Sequence, residues 1–262
     1  MKLFVILIVC FLSSAAGSIC GIGGGVIIKP VLDAAAVMEP ASVSFLSGCT
    51  VLSMSAVSLY KNLKHTNSGD FDKTTASILA LGSIAGGVLG KSAFQHILRL
   101  PQLRHRAGAI QAAMLLLITA GTLAYELNKE KITTKNITNK SAILFTGCTL
   151  GILSAFLGIG GGPVNLIVLF YLFSMKTMEA ALYSIYIILF SQTASLIFTI
   201  SAGNIPPFSA RLLVLMSGCG ILGGLAGTAV HKKTSHKTVD KLFTGLMGLM
   251  ILISIYNIYR YI

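Results

Sequence analysis

Apolar positions along this chain come in long unbroken runs. They do not alternate as in half-buried strands, and they do not form the one-sided stripe of a surface helix. Runs at 2–20, 43–60, 75–97, 107–126, 141–157, 179–201, 209–230 and 239–261 fall at or near the roughly 17–25 residues that carry a helix across a bilayer. Two shorter runs, 26–38 and 163–174, are too short for comfortable spans. Continuity argues against an outer-membrane barrel, whose strands would alternate. The pattern predicts an all-α integral membrane protein, a polytopic helical bundle with 8–10 membrane passes.

Each short run follows a glycine cluster, Gly21-Ile22-Gly23-Gly24-Gly25 or Gly158-Ile159-Gly160-Gly161-Gly162. A second pair of motifs, Gly86-Gly87-Val88-Leu89-Gly90 and Gly223-Gly224-Leu225-Ala226-Gly227, lies inside long runs. The spacings 158 − 21 and 223 − 86 are both 137. One offset shared by two motifs predicts a duplicated unit: a first transmembrane repeat over 1–127, a polar linker loop over 128–140 and a second repeat over 141–262. The short runs read as the second halves of Gly-broken helices, re-entrant segments or tilted crossings. Four passes per repeat would make the repeats parallel and five would make them inverted, a choice left open. Gly-interrupted segments at matching positions of two halves point to a transporter, with its substrate site where the breaks meet.

Glycines without side chains let a helix break at membrane depth, provided the break is buried in protein or lines a cavity. The freed amides and the positive end of the restarting helix favour an anion. This makes Gly21, Gly23, Gly24, Gly25, Gly158, Gly160, Gly161 and Gly162 candidate substrate-binding residues; close helix packing is the competing use. Lys29 follows the first cluster inside an apolar stretch, where an ionisable group suggests function. Asp33, one turn on, could neutralise it, which leaves a structural pair or a snorkelling lysine as alternatives. Asn165, just after the second cluster, and Gln192 are candidate donors. Polar stripes Ser44, Ser47, Ser55, Ser58 and Ser184, Ser191, Ser195, Thr199 follow helical spacing. Gly86–Gly90 and Gly223–Gly227 read as helix packing, and Lys91 as an interfacial lysine.

Only 11% of residues are charged against 54% hydrophobic, and mean hydropathy is +0.83, which no water-soluble core accommodates. The net charge of +12 sits mostly in loops: Lys61, Lys64, Arg99, Arg104, Arg106, Lys129, Lys131, Lys135, Lys232, Lys233 and Lys237. It reads as attraction to lipid headgroups and positive-inside bias, not nucleic-acid binding. Basic loops after the second and third segments leave orientation open. The cysteines form no CxxC and predict neither disulfides nor a metal site. His65, His96, His105, His231 and His236 lie near segment ends and form no metal-ligand cluster. Glu39, Asp70, Asp72, Glu126, Glu130, Glu179 and Asp240 fall at segment ends or loops, so Asp33 alone is expected to be buried. No catalytic constellation stands out, so no enzyme and no cofactor are expected. The first segment resembles a signal peptide, but its match to 141–157 favours a retained span.

Gly21-Ile22-Gly23-Gly24-Gly25-Val26-Ile27-Ile28-Lys29-Pro30, Phe156-Leu157-Gly158-Ile159-Gly160-Gly161-Gly162 and the Gly-Gly-x-x-Gly helices resemble the TauE/SafE sulfite exporter family, membrane permeases of two related halves. The resemblance covers nearly the whole chain. It implies transport of a small sulfur oxyanion or organosulfonate across the inner membrane of a bacterium. Lys29 stands where the family pattern is expected to be apolar. The resulting expectation is a permease moving a small anion by alternating access around the paired breaks. The alternatives are a non-transporting anchor or assembly subunit, or a carrier of another small metabolite or cation. Expected partners are a small anionic solute and the lipid bilayer, with no nucleic acid; a homo-oligomer is one open arrangement.

Overall fold

The computed structural model of the protein describes residues 2–64, 72–100, 106–231 and 234–261. His65, Asp70, Arg104, His105, Lys232 and Lys233, named above, lie outside the described residues. Within them the chain forms ten α-helices: α1 (Lys2–Cys20), α2 (Gly25–Ala34), α3 (Pro40–Leu63), α4 (Lys73–Arg99), α5 (Ala107–Asn128), α6 (Lys140–Leu157), α7 (Pro163–Phe173), α8 (Thr177–Ser201), α9 (Ala210–His231) and α10 (His236–Tyr261). Eight are long and apolar enough to cross a membrane. The protein is therefore a multi-pass helical membrane protein. Leu117, Phe145 and Leu252 project from its outer surface, where lipid replaces water as their solvent.

The two short helices are α2, with 10 residues, and α7, with 11. At about 1.5 Å per residue each reaches roughly half-way through a hydrocarbon core about 30 Å thick. Both reverse the chain. Ile28 and Leu32 of α2 share an apolar cluster with Cys10 and Ile6 of α1, so α2 runs back along α1 towards the N-terminus. Its end meets the end of α10, where Arg260 donates to the carbonyls of Asp33 and Ala34. This pole of the molecule is the termini end. The opposite pole holds the segment between α5 and α6. There Lys129 pairs with Asp240 at 2.7 Å, and the Tyr183 hydroxyl donates to the carbonyl of Asp72 at 3.1 Å.

Helix direction follows from these anchors. From α1 to α5 the chain runs out, back, out, back, out from the termini end. From α6 to α10 it runs back, out, back, out, back. Corresponding elements of the two stretches point in opposite directions, because α2 and α7 add a fifth stroke to each. Helices α3 and α8 begin 137 residues apart, as do α4 and α9 (177 − 40 and 210 − 73).

The packing follows the same offset. Helix α4 lies against α6 so closely that a methyl at Gly86 would sit 2.8 Å from the amide nitrogen of Ile152. Helix α9 lies against α1 in the same way, with a methyl at Gly223 placed 3.1 Å from the amide nitrogen of Ala15. Ile152 and Ala15 are themselves 137 apart (152 − 15). Small residues let these backbones approach, which drives helix association where lipid removes the hydrophobic incentive. The glycines of these two motifs are thus packing residues.

Within the expected linker over 128–140, residues 132–139 are non-helical and lie along α7: the amides of Lys135 and Ile137 donate to the carbonyls of Tyr171 and Leu172 at 2.7 and 3.0 Å. This satisfies carbonyls that a helix end leaves open. Two expectations change. Lys91 is buried, not interfacial: α4 is held between α6 and α8, and the Lys91 ammonium lies 5.7 Å from the centre of the Phe94 ring. Glu126 joins Asp33 as a buried carboxylate, held 2.6 Å from Lys129 at the linker end.

Candidate functional site

Between α1 and α2, and again between α6 and α7, the backbone leaves the helix at a glycine cluster. Gly23 has φ of 77° and Gly160 has φ of 81°, a left-handed conformation that side chains with a Cβ resist. Gly24 and Gly25 are in or next to ordinary helix, and there space is the constraint. A methyl at Gly24 would lie 2.9 Å from Cα of Ser14, and one at Gly25 would lie 2.6 Å from Val51 and 2.9 Å from the carbonyl carbon of Ile159.

The two interruptions meet. A methyl at Gly23 would sit 3.8 Å from the Gly160 carbonyl oxygen, and one at Gly162 would strike Val26. Val51 of α3 and Ile188 of α8 close over the meeting point. Each is the twelfth residue of its helix, near its middle, so the interruptions lie at mid-depth. Gly21 packs on Ala181 of α8 and Gly158 on Ser44 of α3.

Helices α2 and α7 start at this point and run away from each other, so their positive dipole ends converge. Their N-caps are Gly24 and Gly162, and neither has a side-chain cap. Gly23, Gly24, Gly160, Gly161 and Gly162 donate no backbone hydrogen bond among the described residues. Amides left open at depth need a partner other than bulk water.

Side chains around the meeting point are short of partners in the same sense. Asn165 is buried beside Gly161, and its amide nitrogen has no hydrogen-bond partner among the described residues. The same is true of the hydroxyls of Ser44, Ser47 and Ser184. Ser47 stands three residues after Ser44 and four before Val51, and Ser184 stands three after Ala181 and four before Ile188. Each therefore shares the helical face that touches an interruption.

Lys29 reaches the second interruption from α2. Its Cε would lie 3.5 Å from a methyl at Gly158, and its ammonium pairs with Asp33 at 2.6 Å, both side chains being almost fully buried. Of the alternatives left open for Lys29, the buried pair is what forms. Pro30 is accommodated within α2, and its carbonyl accepts from the Asn257 amide at 3.0 Å. Gln192 lies a turn further along α8 from Ile188. Its nitrogen is 3.4 Å from the Ser154 hydroxyl, and its oxygen faces Gly48. It joins three helices rather than touching the interruptions.

Sequence reading placed Ser47 and Ser184 in polar stripes without assigning them to the meeting point. It passed over Gln111, Ser254 and Asn257, all buried near Lys29. The available signal was asymmetry: 137 positions from Gln111 stands Gly248, and 137 before Ser254 and Asn257 stand Leu117 and Ala120. Among the described residues no group of His, Cys, Asp and Glu is arranged to hold a metal ion.

No curated protein and no solved structure matches the chain. The family model described as sulfite exporter TauE/SafE matches residues 6–254, nearly the whole length, and the chain belongs to that family of membrane transporters.

Proposed function

We propose that the protein is a permease for a small sulfur oxyanion or organosulfonate, bound at mid-depth between the N-termini of α2 and α7. The observation that carries this reading is the convergence of two uncapped helix N-termini on a buried spot supplied with unpartnered hydrogen-bond donors. Amides of Gly23–Gly25 and Gly160–Gly162, the Asn165 amide and the hydroxyls of Ser47 and Ser184 would replace the hydration of the anion. Lys29 would supply positive potential, and Gln192 would hold α8 against α6 and α3. Family membership supports transport as such; the oxyanion is our reading.

The matching offsets in motifs, helix starts and backbone contacts support a duplicated, inverted pair of repeats over 1–127 and 141–262. Inverted repeats that exchange roles give two related states, one open to each side, which is alternating access. Orientation follows from loop charge. Among the described residues the linker end carries ten basic residues (Lys61, Lys64, Lys73, Lys129, Lys131, Lys135, Lys140, Lys176, Lys237 and Lys241). The termini end carries five (Lys2, Arg99, Arg106, Arg211 and Arg260). The positive-inside rule puts the linker end in the cytoplasm.

The test is uptake of radiolabelled sulfite, thiosulfate and sulfate into proteoliposomes. Asn165→Ala should lower flux about tenfold or more while leaving the protein folded, the worth of one buried hydrogen bond to an anion. Absence of flux for all three anions with intact protein would overturn the oxyanion reading and leave a carrier of another solute or a non-transporting subunit.

A further inference from the structure

Behind the Lys29–Asp33 pair lies a small buried chamber between α2, α5 and α10, bounded on its inner side by Leu157, the last residue of α6, and Ile159 of the second interruption. Its polar lining, besides Lys29 itself, is Asp33, Gln111, Ser254 and Asn257. All four are at least nine-tenths buried. Asp33 spends one carboxylate oxygen on Lys29. Gln111 donates its amide nitrogen to the Phe156 carbonyl at 2.7 Å, and Asn257 donates its own to the Pro30 carbonyl at 3.0 Å. A carbonyl only accepts, so both amides are fixed with nitrogen outward and oxygen free. The atoms with no partner among the described residues are Asp33 Oδ1, Gln111 Oε1, Asn257 Oδ1 and Ser254 Oγ. They are four oxygens, three of which can only accept.

That donor set suits a small hard cation. A proton would serve one oxygen and leave three. A divalent ion would bring two charges to a site whose single carboxylate is already half engaged, at a high desolvation cost. We propose that the chamber binds Na⁺, and that the ion displaces the Lys29 ammonium from Asp33 and so frees it to pair with the anion beside Gly158. With the chamber empty, Lys29 and Asp33 neutralise each other. With Na⁺ on Asp33, Lys29 is an uncompensated buried cation until an anion arrives. Each ligand thus lowers the cost of binding the other, a reciprocal coupling. Na⁺ and a monovalent anion would then move together. The coupling step rests on the permease reading; the binding step does not.

The experiment follows thermal unfolding of the purified full-length chain through exposure of its cysteines to a thiol-reactive dye. NaCl is titrated against KCl and choline chloride at constant ionic strength, with no sulfur anion present. The expected result is a saturable rise in Tm with Na⁺ alone. Ser254→Ala should weaken the apparent Na⁺ affinity about tenfold. Lys29→Met should strengthen Na⁺ affinity by removing the competing ammonium, while abolishing anion flux; a purely structural ion pair would not tighten Na⁺ binding when broken. Equal responses to the three salts would overturn the proposal, as would an unchanged Na⁺ response in both variants. Anion flux driven by a pH gradient and indifferent to Na⁺ would overturn the coupling step and leave the permease intact. A Na⁺-specific Tm shift without anion flux would retain the site and overturn the permease.

Discussion

Helices α2 and α7 occupy corresponding places and are built differently. Both start at a glycine interruption at mid-depth, and both reverse the chain. Helix α2 carries Lys29 and Asp33; the positions 137 residues on are Leu166 and Phe170. Helix α7 carries Asn165, and its counterpart in α2 is Ile28. Carbonyls in the C-terminal half of α2 are met by side chains of α10, Asn257 and Arg260. Those of α7 are met by the backbone of residues 135–137. Backbone contacts are thus matched between the halves while chemistry is divided between them. A matched scaffold is what the proposed alternation between two states would need. A charged pair is needed once, and a second copy would add another desolvation penalty at membrane depth.

The most severe way to break this comparison is to remove one charge from α2. Asp33→Ala leaves Lys29 buried without its partner, and the loss should be about 3–5 kcal/mol, read as a large fall in Tm or as failure to recover folded protein. Converting α2 to the pattern of α7, with Lys29→Leu and Asp33→Phe together, should recover much of that stability and abolish transport. Leu166→Met in α7, a volume-conserving change, should cost less than about 1.5 kcal/mol. Equal costs at positions 33 and 166 would show that the pair carries no special burden.

A second comparison tests the matched scaffold. Gly86→Ala drives a methyl into α6, and Gly223→Ala drives one into α1, against backbone in both cases. Each should cost about 1–3 kcal/mol, and the two costs should be similar. A cost at one site alone would mean that only one of the two helix pairs is tightly packed.

The helices were legible because lipid-facing helices need long apolar runs, and the eight runs named from the pattern lie within a few residues of α1, α3–α6 and α8–α10. The short runs and their glycine clusters were legible as interruptions. What the pattern lacked was direction, since a run of ten or so apolar residues reads alike whether it turns back or continues. Cys10 and Ile6 beside Ile28 and Leu32 decide that, and this contact is tertiary. Lys29 and Asp33 were visible as a pair through their spacing. Gln111, Ser254 and Asn257 were not, because single polar residues in different long helices announce nothing until α5 and α10 bring them to α2. Lys91 misled because a lysine after a glycine in a long helix looks like an end, and here the helix continues for two more turns.

The mildest test concerns how the halves start their fourth element. Asp72 caps α4, accepting from the amides of Thr74 at 2.9 Å and Thr75 at 3.3 Å. Its counterpart before α9 is Ser209. Hydrogen bonds, first from Thr75, hold the Asp72 carboxyl below the usual carboxylate range. A depressed folded-state value means that its contribution is present above the ordinary pKa of 3.8 and is lost as pH falls through the folded-state value. Asp72→Ala should therefore lower stability by about 0.5–2 kcal/mol at neutral pH, and the gap from the parent should shrink in strong acid. The same measurement on Ser209→Ala compares the two starts. A gap for Asp72→Ala that stays constant down to the lowest tolerated pH would mean that the carboxylate charge contributes nothing to holding the start of α4.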